Sequence, residues 1–165
     1  MDLLSDFNTS THTPISTISV RLTVAALLGG IIGLEREWRQ RPAGLRTHML
    51  TSLAAAVFTI LMGEMLHADL FTGDGVQADP TRLIEAVTAG VAFLAAGTII
   101  RGSSGVEGLT TGAGMWLAGS IGVAAGLGQF AVGGIAAFLG VIVIALLGVA
   151  EKVAREKSDD SKPAR

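Results

Sequence analysis

FAVGGIAAFLGVIVIALLGVA, Phe130 to Ala150, contains neither a charged nor a polar side chain. A helix of roughly 20 apolar residues at 1.5 Å per residue crosses about 30 Å of hydrocarbon, so this stretch alone is long enough to span a bilayer. Its polarity does not alternate, whereas membrane barrel strands show segments of about ten residues with a period of two. Working outward, four more charge-poor windows precede it: Thr111 to Leu127, Thr81 to Ile100, Leu45 to Gly63 and Ile15 to Leu34. The composition agrees: of 165 residues 50% are hydrophobic, only 16% are charged, and 22 are glycine. Apolar runs of this length leave no surface for water, which excludes a solvated globular domain. The pattern predicts an all-α membrane protein, a bundle of about five transmembrane helices over residues 15 to 150, with a polar segment at 1 to 14 and a charged tail at 151 to 165.

Arg36, Arg39, Arg41 and Arg46 flank the first connection, Arg101 opens the third, and Lys152, Arg155, Lys157, Lys162 and Arg165 populate the tail. By the positive-inside rule these regions are cytoplasmic, while the connection with His67, Asp69, Asp74 and Asp79 faces outward. The N-terminus is then outside and the C-terminus inside. The residues before Ile15 include Asp2 and Asp6 and no lysine or arginine, so the first helix is expected to be retained rather than removed as a leader. The sequence has no cysteine, which excludes disulfides, thiolate metal sites and cysteine nucleophiles. No serine, histidine and carboxylate constellation suggests catalysis, no cofactor is expected, and nothing in the charge pattern suits nucleic acid.

Charges inside apolar windows mark two candidate sites. Arg21 and Glu85 stand about 10 Å and 8 Å from the outer ends of the first and third windows, and each is costly in lipid. Their similar depth predicts an ion pair, with Glu64 as a rival partner for Arg21 and a cation or proton site around Glu85 and Glu64 as the alternative. At the cytoplasmic side Glu35, Arg36, Glu37, Arg46, Thr47, His48, Arg101, Thr110 and Thr111 converge on one level, which predicts a polar network joining helices one to four. The glycine-rich stretch Arg101 to Trp116 is either a re-entrant segment or a loosely wound helix start. It lacks the GxxxxGK[ST] pattern of a nucleotide phosphate loop. Small residues recur every fourth position at Gly29/Gly33, Ala86/Gly90, Ala118/Gly122/Gly126 and Ala136/Gly140, a spacing that lets helix backbones approach closely. Gly97 belongs with these packing positions. Any metal ligand set is left open by the sequence.

The strings GGIIGLERE (Gly29 to Glu37), PAGLRTHML (Pro42 to Leu50), GVAFLAAGTII (Gly90 to Ile100) and VEGLTTGAGMW (Val106 to Trp116) resemble the motifs of the MgtC/SapB family. With AGSIGVAAGLG (Ala118 to Gly128) they follow the family's order through most of residues 20 to 150. The resemblance implies a multi-pass protein of the bacterial inner membrane, connected with magnesium homeostasis and regulatory rather than a transporter. Other membrane proteins are its implied partners, among them an ATP synthase or a cation ATPase, and a homo-oligomer is a further expectation beside the lipid bilayer itself. Two departures stand out. Ala92 and Ala95 occupy positions that usually read glycine, and the sequence ends at Arg165, where many members continue into a soluble domain. Transport of magnesium or another cation is the competing expectation, although five helices without an evident repeat make a poor solitary transporter.

Overall fold

Two segments, Ile15–Trp38 and Leu45–His67, form helices that are long and apolar enough to cross a membrane by length and composition. They are α1 and α2 of a computed structural model that describes residues 11–68, 79–102 and 105–159. The other helices are α3 (Thr81–Gly97), α4 (Leu109–Gly126) and α5 (Phe130–Asp159), so the all-helical expectation of five elements holds. Most of the polar segment at 1 to 14, the loop acids Asp69 and Asp74, and the end of the charged tail lie outside the described residues.

Local chemistry sets the helix ends. Asp79 accepts from the Thr81 hydroxyl at 2.6 Å and the Thr81 amide at 2.9 Å just before α3 begins. Those two donors, the hydroxyl first, hold its carboxyl below the usual carboxylate range. α4 stops in a Schellman turn, with Gln129 N–H donating to Ala124 O at 2.8 Å and Gly128 N–H to Ala125 O at 2.9 Å. Gly128 has the positive φ of 80° that this turn requires.

α4 is the hub, touching α1, α2, α3 and α5, while α1 lies chiefly against α2. It can fill that position because Gly112, Gly114, Gly119, Gly122 and Gly126 are all buried and let neighbours come close. α3 is set apart, packed on α4 with Val91 as its single buried residue. Large apolar side chains cover the outside, including Phe93 at 81% exposure and Phe138 at 65%. Such a surface is stable against lipid and not against water.

The stretch from Arg101 to Trp116 corrects the expectation of a loosely wound helix start. Its described residues do not open as a loose helix: Ile100–Gly102 (β1) pairs antiparallel with Gly105–Glu107 (β2), Arg101 opposite Val106, and α4 then starts at Leu109. The apolar third window therefore ends as a helix at Gly97, not at Ile100. Gly108, at φ 89°, makes the join, because the Thr98 carbonyl occupies the space a side chain would need. The backbone of residues 151–159 also departs from a separate tail, since α5 continues through it.

Candidate functional site

At one end of the bundle a charged centre is closed inside the protein. Arg36 ends α1 at 6% exposure and donates from Nη2 to Thr111 Oγ1 in the first turn of α4 at 2.8 Å. Its neighbour Glu35 lies 3.7 Å from Arg36 Nη1 and also pairs with Arg39 one turn on. The Arg39 guanidinium in turn lies against Gly148 of α5, where a Cβ would overlap it. Glu37 acts on the next helix by accepting the Leu45 amide at 3.0 Å, so its carboxylate occupies the positive end of α2. Gly44 is fixed by that contact, since a side chain there would collide with the Glu37 carboxylate.

His48 completes the centre and is fully buried. Its Nδ1 is 3.0 Å from Gly44 O, and a carbonyl only accepts, so Nδ1 carries the proton in the neutral ring. Nε2 is then a bare acceptor facing Gly114, and it has no hydrogen-bond partner. Arg36 Nε and both Glu35 oxygens share that condition; Glu35 meets its arginines as ion pairs without hydrogen-bond geometry. With the Glu35 oxygens held by ion pairs, Arg36 Nε and His48 Nε2 are, among the described residues, the buried polar atoms left without a partner, and their closeness makes this end the candidate site.

Of the residues expected here, the structure brings together Glu35, Arg36, Glu37, His48 and Thr111. It leaves out Arg46, Arg101 and Thr110, which are exposed, and Thr47, whose described contact is a backbone one to the Thr51 hydroxyl. The reason is helical phase: Arg36 and Arg46 stand at the same level, but only Arg36 is on the inward face. Arg101 is carried away on β1. The network consequently joins α1, α2, α4 and α5, and α3 has no part in it. Arg39 is the member that the sequence expectation omits, although its i,i+4 spacing from Glu35 is a readable signal.

The other end corrects the expected ion pair. Arg21 meets neither Glu85 nor Glu64; its Nη1 donates to Gly126 O at 3.0 Å, and the guanidinium lies beneath Gly128 in the α4–α5 turn. The negative end of α4 supplies the counter-charge that a carboxylate is expected to give. Glu85 is exposed on α3, which does not flank α1. Glu64 instead accepts the His12 and Thr13 amides at 2.6 and 2.9 Å, tying the chain before α1 to the end of α2, where the His12 and His67 rings also stack at 3.7 Å.

Between the two ends, glycine stripes seal α2 from both sides. A Cβ on Gly29 would stand 2.6 Å from Ser52 Cβ, and one on Gly33 2.8 Å from Leu45 Cα. From α4, Gly122 lies against the Ser52 carbonyl, and a Cβ on Gly126 would be 2.7 Å from Thr59 Cβ. Ser52 adds a buried bond across the same seam, donating to Ala25 O at 2.8 Å. Gly90 and Gly97 are the exceptions to the packing expectation, with nothing within 4 Å of the place a methyl would take. Ala95 does meet α4, where a Cβ on Gly112 would be 3.3 Å from its own methyl, so the second departure in the third motif sits in a helix contact that glycine on the partner accommodates.

Residues 22–153 match the MgtC family as a whole. The chain is 44% identical over 111 residues to MgtC of Salmonella typhimurium, covering 67% of this chain and 44% of that protein. It is 37% identical over 125 residues to YhiD of Escherichia coli K12, covering 76% and 58%. It is also 37% identical over 131 residues to slr0014 of Synechocystis, covering 79% and 50%. The chain thus spans about half the length of the curated relatives it matches. No solved structure matches it. Four motifs in order, a family match through all five helices and these relatives place the chain in the MgtC family.

Proposed function

We propose that this protein crosses the bacterial inner membrane five times, N-terminus outside and C-terminus in the cytoplasm, and serves magnesium homeostasis by regulating other membrane proteins through helix contacts. The observation that carries this reading is the closed middle of the bundle. Ala25, Ala56 and Ala125 fill it at 0% exposure, and the glycines beside them press backbone onto backbone. The Arg36 centre and the Arg21 contact are thereby separated by apolar packing. A cation entering such a bundle meets no succession of oxygens to replace its water. The outward apolar surface of α3 suits contact with partner helices, an ATP synthase or a cation ATPase by family resemblance, or another copy of this chain.

Transport is the second reading. It is favoured by the name of YhiD, which marks that relative as a proposed magnesium transporter. Cells decide between the two. Loss of the gene should slow growth at limiting magnesium while the rate of magnesium uptake stays unchanged, whereas a matching fall in uptake would contradict regulation. Reporter fusions between α2 and α3 and after residue 150 should give external and internal signals, and the reverse would overturn the orientation.

A further inference from the structure

Although α2 and α3 follow each other in the chain, they barely touch. Between them runs a cavity of about 600 Å³ lined by Thr51, Phe58 and Met65 of α2 and by Leu83, Gly90 and Leu94 of α3, among other apolar groups. From Thr51 to Met65 the α2 wall is roughly 21 Å long at 1.5 Å per residue. A volume of about 600 Å³ along that length gives a slot about 6 Å wide. A helix with its side chains is about 10–12 Å across and does not enter. An extended alkyl chain, about 4 Å thick at van der Waals contact, does. The slot is also long enough for a full acyl chain, which covers about half of a hydrocarbon core of ~30 Å.

Arg82 precedes Leu83 in the first turn of α3, where the α3 wall of the slot begins; its side chain is 83% exposed and not itself part of the lining. Asp79 takes the two Thr81 donors on Oδ1 and meets Arg82 Nε through Oδ2 at 3.9 Å, a long ion pair. The terminal nitrogens of this exposed guanidinium are left to reach a phosphate, for which its fork of donors is suited. We infer that the α2–α3 slot is a phospholipid site, holding one acyl chain along Ala54, Ala86 and Gly90 with the headgroup phosphate on Arg82. This goes beyond the proposed regulation and rests only on the chain being a membrane protein. Gly90 fits the assignment: its small-residue stripe, expected to meet a helix, opens on the slot, and nothing lies within 4 Å of a Cβ there.

Native mass spectrometry of the protein extracted from membranes in mild detergent tests the site. The wild type should retain one phospholipid per chain. Gly90→Leu, which fills the slot without meeting the fold, should lose it while unfolding at an unchanged temperature, and Ala54→Leu from the opposite wall should do the same. Gly134→Leu, at an equally open position on α5, should keep the lipid. Arg82→Gln should retain a lipid but lose about fivefold in preference for anionic headgroups, the loss of one surface cation. Equal retention by Gly90→Leu, Ala54→Leu and the wild type would overturn the site. So would a wild-type dimer that both slot variants dissociate, since a second copy would then cover the slot.

Discussion

Arg36 keeps its charge at 6% exposure because two groups answer it, Thr111 by a hydrogen bond and Glu35 by an ion pair. Removing one partner of such a group costs more than removing both, since the survivor is left without compensation. Thr111→Val, which conserves shape, should cost about 1–3 kcal/mol in thermal unfolding in detergent. In the Arg36→Met background the same change should cost at least about 0.5 kcal/mol less; strict additivity would mean that the contact carries no energy. Arg21 obeys the same logic with a different partner. Arg21→Met should lose about 1.5–3 kcal/mol, the worth of a charged hydrogen bond, while exposed Glu85→Gln should stay within about 0.5 kcal/mol. The pair should add, and a coupling above about 0.5 kcal/mol would restore the ion pair that the sequence suggests. Which charges are buried is only half legible in the sequence. Depth follows from counting along a helix, and it brings Glu35, Arg36 and Thr111 to one level. Direction around the helix does not follow in a helix apolar on every side, so Arg46 and Arg101 look equivalent to Arg36. The sequence puts His48 at this level, but a lone histidine beside an arginine gives no sign that two glycines of α1 and one of α4 will close over it.

Helix contacts here are made by absence of side chains. The α2 carbonyl of Ser52 sits where Gly122 would carry a Cβ, so the spacing between α2 and α4 is set by backbone and not by interdigitating groups. Gly122→Leu should therefore exceed the ordinary overpacking cost of about 1–3 kcal/mol and lower the unfolding temperature sharply. Gly134→Leu, where the space is open, should be near neutral, helped by the roughly 1 kcal/mol by which glycine disfavours a helix. Equal effects at the two positions would contradict the assigned packing faces. The four-residue spacing of small residues is visible in the sequence, yet it does not say which stripes meet a helix. Gly29/Gly33 and Gly122/Gly126 do; Ala86/Gly90 borders a slot. The β hairpin is not legible at all, because strands of three residues carry no periodicity, and glycine-rich sequence is compatible with turn, loop or helix start alike.

For the whole molecule, contacts alternate end by end. Arg36–Thr111 and Glu37–Leu45 join one set of helix termini, and Arg21–Gly126 and Glu64–Thr13 join the opposite set. The helices run antiparallel in sequence order, as charge-poor windows with short connections demand. Their number and class can be read from composition because lipid enforces long apolar helices. Function is less exposed in the sequence, since a bundle that regulates and a bundle that conducts both bury a few charges among glycines. What separates them is whether those charges form a path, and here Ala25, Ala56 and Ala125 interrupt it. Ion flux through purified protein in liposomes under a magnesium gradient tests that claim most directly. The account predicts entry no faster than into protein-free vesicles; a robust flux abolished by Glu35→Gln would contradict it.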